Sequence, residues 1–293
     1  MMTLREALSD ARKRSLALGH FNISDLAALK AIVAAAKELN VPVMIGVSEG
    51  EREFLGVRET AALVRTMREE SDHPIYLNAD HTHSLEKAIE AARAGFDEII
   101  FDASKLPLEE NIRQTKAAVI AIRAVNPEIV IEGEIGYIGS SSEIMEKAPE
   151  GAALTEGALT TPEEAIRFVT ETGVDVLAPA VGNMHGLLAS MVRGETHKEL
   201  NIERIKTLAA AVNMPMTLHG GSGTADEGFV AAMRAGMTIV HVNTEIRLAW
   251  RRGLEASLAK DKNEVAPYKI LPGAVLAVQK VVLDRLRLFN GLG

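Results

Sequence analysis

Eight histidines and no cysteine occur among the 293 residues. Five of the eight stand in short polar motifs that each follow an apolar run: Asp80-His81-Thr82-His83, Asn183-Met184-His185-Gly186, His219-Gly220-Gly221-Ser222-Gly223 and His241-Val242-Asn243-Thr244. Acids stand in equivalent places, in Asp102-Ala103-Ser104 and Glu132-Gly133-Glu134. Without thiolates, a metal site here has to be built from His, Asp and Glu. Imidazole and carboxylate together suit a divalent ion, zinc foremost. One histidine alone is more often a hydrogen-bonded structural residue, so this reading rests on convergence. Asp80 could work as acid or base beside a metal-polarised oxygen, or could orient a ligand. Glu132 and Glu134 share a strand face and could bind metal or pair with a lysine. The glycine-rich turn after His219 could cradle a phosphate at a helix start, although such turns also form without a ligand.

Convergence depends on the elements that carry these motifs. Eight nearly continuous apolar runs, at 16–22, 42–48, 75–80, 98–103, 128–136, 174–182, 215–221 and 238–244, read as parallel strands buried on both faces. Amphipathic segments separate them. Thr161-Pro162-Glu163-Glu164 and Thr224-Ala225-Asp226-Glu227 have the capping-box pattern, and Gly95, Gly173 and Gly236 stand where helices should stop. Eight strand–helix units predict an α/β fold, a (β/α)8 TIM barrel over 1–293, with a doubly wound open sheet as the alternative. The polar motifs then fall at the C-terminal strand ends, where barrel active sites form. Residues 137–160 show no period, and a connection this long predicts an active-site lid, or else a plain surface insertion. The helical segment from Gly273 to Phe289 could seal the barrel floor or pack on a second subunit.

Composition narrows the function classes. Forty acidic against thirty-two basic residues give a net charge of −8, which argues against nucleic-acid and anionic-membrane surfaces. An aromatic content of 4% argues against base-stacking platforms. The apolar runs are too short to span a bilayer. The N-terminal residues lack an apolar signal core, so a soluble cytoplasmic protein is expected.

Taken in order, Gly19-His20-Phe21-Asn22, Ser48-Glu49-Gly50, Asp80-His81 with Ser84, Glu109-Glu110-Asn111, Glu132-Gly133-Glu134-Ile135-Gly136, His185-Gly186, Leu218-His219-Gly220-Gly221-Ser222-Gly223 and Thr244-Glu245 resemble the class II, zinc-dependent fructose-bisphosphate and tagatose-bisphosphate aldolases. The resemblance covers essentially the whole chain. It implies a Zn2+ held by His81, His185 and His219, with Glu134 and Asp102 at a second or alternate metal position. It implies that Asp80 exchanges a proton with the substrate C4 hydroxyl. Gly186, Gly220, Gly221, Ser222 and Thr244 match positions that hold the phosphate of dihydroxyacetone phosphate, and Asn22 and Ser48 match substrate-side positions. Asn243 is counted with the substrate-binding residues. Glu143, in the long loop, resembles the glutamate that handles the carbon-bound proton. A phosphorylated sugar substrate and a homodimer or homotetramer are implied as well.

The chain departs from the family pattern at three places. Thr82 follows Asp80-His81 where glycine is usual. Leu188-Ala189 stands where Tyr-Lys is common, so a phosphate-binding lysine is missing. Ile239 and His241 replace Lys and Asn, and His241 could take over the asparagine's hydrogen bond or approach the metal. These changes bear on substrate identity, with fructose 1,6-bisphosphate expected first and tagatose bisphosphate or another ketose phosphate as alternatives. Three rivals stay open: a Schiff-base aldolase, for which only Lys105 lies near a strand end; a metal-dependent hydrolase, suggested by His81-Thr82-His83; and a non-catalytic sugar-phosphate-binding barrel.

Overall fold

A computed structural model describes residues 2–139, 143–148, 150–152 and 154–292. Eight parallel strands close into a barrel. They are β1 (Leu18–Asn22), β2 (Val43–Val47), β3 (Ile75–Thr82), β4 (Glu98–Phe101), β5 (Val130–Ile135), β7 (Val176–Pro179), β9 (Met216–Leu218) and β10 (Met237–His241), each hydrogen-bonded to the next, with β10 returning to β1. Two further strands of two residues each, β6 (Ile144–Met145) and β8 (Leu187–Leu188), pair with each other outside the barrel. All eight expected strands are present and the barrel is closed, which removes the open-sheet alternative.

Strand parity divides the side chains into two sets. Phe21, Ile45, Leu77, Ile99, Ile131, Leu177, Leu218 and Val240 belong to the large apolar cluster shared with the surrounding helices. The alternate residues form a second cluster at the strand starts: Leu18, Met44, Tyr76, Val130, Val176 and Ile239. Helix Leu4–Arg14 presents Leu4, Ala7, Leu8 and Ala11 to that cluster and seals the floor. The C-terminal helix Pro272–Phe289 therefore does not seal it. That helix lies against helices Leu26–Leu39 and Thr244–Lys260, with Val278, Val282, Leu286 and Phe289 buried.

The helix punctuation holds at most sites. Thr161 and Glu164 form the reciprocal capping box, and Gly95, Gly173 and Gly236 stand at C-caps. Thr224 is a correction. Helix Asp226–Ala235 starts after Ala225 with no side-chain cap, and the buried Thr224 hydroxyl has no hydrogen-bond partner among the described residues. Its backbone is drawn instead into a turn, Thr224 N–H donating to Gly221 O, and into a bridge with Lys198.

The segment 137–160 is partly tied down. Besides the β6–β8 pairing, Thr160 Oγ1 donates to Ile135 O at 2.9 Å, and Glu156–Ala158 form a single 3-10 turn. Ser140, Ser141 and Ser142 lie outside the described residues. Among the described residues no helix is long and apolar enough to cross a membrane.

Directly above the floor the barrel becomes polar. A Cβ added at Gly46 on β2 would lie 2.1 Å from His20 Cε1, so the glycine makes room for an inward imidazole. Gly46→Ala is expected to displace His20 and lower stability by about 1–3 kcal/mol, the range for overpacking a filled interior. A downward shift of the urea unfolding midpoint is the measurement, and an unchanged midpoint would contradict this packing.

Candidate active site and metal centre

A cavity of about 230 Å³ opens at the C-terminal strand ends, lined among others by Asn22, Ser48, Asp80, His81, Asp102, His185, Gly186, Gly220, Ser222, His241, Asn243 and Thr244. Strand alternation would send neighbouring residues to opposite faces. Asp80 and His81 both line the cavity because His81 adopts a left-handed φ of 38°, where the β3–β4 register shifts between Ala79 and Thr82. A bulge of this kind re-aims side chains.

Three imidazoles meet here, His81 and His185 lining the cavity and His219 buried beside them. The ring centroids of His81 lie 4.8 Å from His185 and 4.7 Å from His219, and His185 and His219 are 5.8 Å apart. Each ring has one nitrogen engaged. His81 Nδ1 is 2.9 Å from Asp102 Oδ2, His185 Nδ1 is 2.6 Å from Gly139 O, and His219 Nε2 is 2.7 Å from Glu132 Oε1. A proton held on each engaged nitrogen leaves a lone pair on the other, the form a metal ligand needs. His81 Nε2 and His219 Nδ1 are buried with no partner among the described residues. One nitrogen from each of the three histidines falls within 4.8 Å of the others.

The fields around this cluster favour a cation. Burial opposes charge on His81, but Asp80, Asp102 and Glu134 overcome it and raise its pKa well above the usual value. A divalent ion would answer the same three carboxylates. Burial, with the fields of His81 and His219, lowers the His185 pKa to about 3, so that ring is neutral and able to ligate. Burial and the charge of Asp102 raise Glu134 to about 8, a cost that a neighbouring cation would remove. The donor set therefore fits a divalent metal.

The two further acids expected near the metal differ. Asp102 accepts from His81 and, through Oδ1, from Ser104 N–H and hydroxyl, so it reaches the cluster through His81. Glu134 Oε2 is unpartnered among the described residues and sits 3.3 Å from His81 Nδ1. Among the described residues, neither Glu132 nor Glu134 pairs with a lysine. Glu132 accepts from Thr217 and holds His219.

Asp80 accepts from Asn22 Nδ2 at 2.8 Å, while its Oδ1 has no hydrogen-bond partner among the described residues. Burial would raise its pKa, but His81, His20 and His219, with the Asn22 hydrogen bond, hold it well below the usual carboxylate range. His241 stacks on His20 at 3.4 Å, and its Nδ1 is 3.6 Å from Asp80 Oδ1. Burial and the neighbouring histidines push its pKa well down.

Glu51 and Arg247 were not foreseen from the residues alone. Glu51 accepts from Asn22 Nδ2 at 2.8 Å and from Ser48 N–H and hydroxyl, and pairs with Arg247 at the cavity mouth. The Ser48-x-x-Glu51 capping pattern is the signal that points to it. Gly221 corrects an expectation: its N–H donates to His241 O at 2.9 Å, so it shapes the turn and is not free to meet a phosphate. Gly220 has φ +60°, and a Cβ there would lie 2.2 Å from Met184 O. Glu143 is exposed and does not line the cavity; its carbonyl accepts from Leu187 N–H. His83 is half exposed, with Nδ1 3.0 Å from Asp102 O. Lys105 is exposed at the surface, 5.4 Å from the Tyr137 ring centroid, and does not line the cavity.

The family model described as fructose-bisphosphate aldolase class-II matches residues 2–293. The chain belongs to that family. It is a carbon–carbon lyase of the aldehyde-lyase type, a class II ketose-bisphosphate aldolase. A fructose-bisphosphate aldolase of Geobacillus stearothermophilus is 32% identical over 100% of this chain and 98% of its own. A 6-phospho-5-dehydro-2-deoxy-D-gluconate aldolase of Shouchella clausii is 33% identical over 97% and 92%. Among solved structures, the YdjI aldolase of Escherichia coli K12 superposes with a TM-score of 0.81 at 27% identity, covering 99% of this chain and 97% of that one.

In this aldolase Glu132 orients His219 without entering the cavity. Glu132→Gln should weaken divalent-metal affinity by ~10–100-fold, the usual effect of losing a carboxylate behind a ligand histidine. Metal retained per chain after dialysis against graded chelator measures it; retention equal to wild type would show that the pair serves folding alone.

Proposed function

We propose that this aldolase reversibly cleaves a ketose 1,6-bisphosphate, fructose 1,6-bisphosphate first, to dihydroxyacetone phosphate and an aldehyde such as glyceraldehyde 3-phosphate. The observation that carries the proposal is the unpartnered Asp80 oxygen beside three imidazoles that each keep a nitrogen free. In this reading His81, His185 and His219 hold Zn2+, with Glu134, and Asp102 behind His81, available to a second or alternate position. Bound zinc supplies Lewis acidity, stabilising negative charge that develops on the ketose oxygens as the C3–C4 bond breaks.

The chain's own groups do the remaining work. Asp80, kept ionised, accepts the C4 hydroxyl proton through Oδ1 in cleavage and returns it in condensation. Asn22 holds the other Asp80 oxygen and is itself fixed by Glu51, which also holds Ser48 at the substrate side. Gly186, Gly220, Ser222 and Thr244 surround the phosphate, at the turn after His219 and the N-terminus of helix Thr244–Lys260. His241 at the end of β10 and Asn243 at the start of the following helix face the substrate carbons. Closure of segment 137–160 brings Glu143 to the carbon that is reprotonated after cleavage. Assembly as a homodimer or homotetramer belongs to the same reading.

A second reading, another ketose or keto-acid phosphate, is favoured by the 33% identity to a relative named for a deoxygluconate substrate. A panel of phosphorylated ketoses assayed for triose-phosphate release separates the two. The highest kcat/KM is expected with fructose 1,6-bisphosphate, and release only from a keto-acid phosphate added to the panel would favour the second reading. Asp80→Asn should retain its metal and lose ~10²–10⁴-fold in kcat, the span for a positioned acid–base group. Loss of metal together with activity would make Asp80 an orienting residue.

A further inference from the structure

Lys198 is buried at 7% exposure, on the extended stretch between the short helix Ala189–Val192 and helix Ile202–Val212. Its Nζ donates to three backbone carbonyls, Met184 O at 2.7 Å and Gly186 O and Gly220 O at 2.8 Å each. None of the three partners is a carboxylate. Burying an ammonium costs several kcal/mol unless it is well met, so this placement calls for a reason.

The three peptide units show one. In a trans peptide the carbonyl and the following N–H point in opposite directions. The units that face Lys198 with their oxygens donate on their far sides: His185 N–H to Ile138 O, Leu187 N–H to Glu143 O, and Gly221 N–H to His241 O. One ammonium thus joins the His185 turn, the His219 turn, the β10 end and segment 137–160. Lys198 N–H also donates to Gly223 O at 2.9 Å. The amine sits behind Gly186 and Gly220, whose other side lines the cavity.

We propose that Lys198 is a built-in monovalent cation: its ammonium fills a three-carbonyl seat behind the phosphate cradle, positions Gly186 and Gly220, and lends positive charge to the bound phosphate. The inference rests on the cradle described under the proposed function. It accounts for the absence of a lysine at Ala189, because the charge comes from behind the turn. Burial lowers the Lys198 pKa to about 7, with Glu245 opposing. A neutral amine has only two N–H bonds for three acceptors, so the seat itself favours the ammonium. Lys198 is a positioning residue, since the backbone of the turns lies between it and the cavity.

The test compares metal-loaded wild type with Lys198→Met and Lys198→Gln, using dihydroxyacetone phosphate binding by calorimetry, KM and kcat for the cleaved ketose, and Tm. Each is measured in potassium, ammonium or choline chloride at equal ionic strength. Wild type should bind equally in all three salts. Both variants in choline should lose about 10–100-fold in affinity, the worth of hydrogen bonds to a charged group, with KM affected more than kcat. Potassium or ammonium should recover most of that loss and raise the variants' Tm, because a small cation refits the emptied carbonyls. Wild-type binding that strengthens severalfold with potassium would overturn the proposal, since the seat would then not be filled. So would variant binding equal to wild type, or a loss that no small cation recovers. Failure of wild type to bind dihydroxyacetone phosphate at all would instead sink the cradle reading.

Discussion

Moving an imidazolium or a carboxylate from water into a protein interior costs several kcal/mol unless a partner meets it. The inner face of this barrel carries His20, Glu98, Glu132, Glu134, His219 and His241, all buried. The polar upper part of the barrel is arranged around that cost. His20 Nε2 is 3.0 Å from Asn78 Oδ1, and Asn78 Nδ2 donates to Glu98 at 2.6 Å. Burial and the charge of Glu132 push Glu98 well above the usual carboxylate range. Glu132, Asp102 and the Gly139 carbonyl each engage one histidine nitrogen. The apolar floor beneath, closed by helix Leu4–Arg14, keeps water away from these contacts and so makes them strong.

The same enclosure gives similar groups opposite behaviour. Asp80 and Glu134 are both buried carboxylates beside His81. Three histidines and an asparagine amide outweigh burial at Asp80 and keep it ionised. At Glu134, burial combines with the nearby Asp102 charge, and its pKa moves up to about 8. Environment thus divides the carboxylates into one held as the anion and one held protonated near neutral pH, which a neighbouring cation would ionise.

Backbone geometry supplies what side-chain identity does not. The left-handed His81 breaks strand alternation so that two consecutive polar residues enter one cavity. The glycine at 220 permits an approach to Met184 O that no Cβ would tolerate. Peptide units around Lys198 turn their oxygens to one ammonium and their N–H groups to three separate segments. The cavity wall is thereby linked to Ile138 and Glu143 through backbone hydrogen bonds.

The eight strands, the barrel and the strand-end location of the histidines were legible in the amino-acid sequence. Parallel strands buried on both faces read as unbroken apolar runs, and Gly95, Gly173, Gly236 and the Thr161 box mark helix ends through local backbone physics. Local pattern also misled, as at Thr224, where a turn back to Gly221 and a tertiary bridge with Lys198 take the residue out of the cap it resembles. Ser48-x-x-Glu51 was present as a pattern, yet that its carboxylate also holds Asn22 depends on β1 and β2 lying side by side. Which nitrogen of each histidine is free, which acid stays ionised, and why a lysine is buried behind the glycine turn were decided only in three dimensions. Those properties come from partners distant in sequence, Glu132 for His219 and Met184 for Lys198, which nothing in the local spacing of residues can specify.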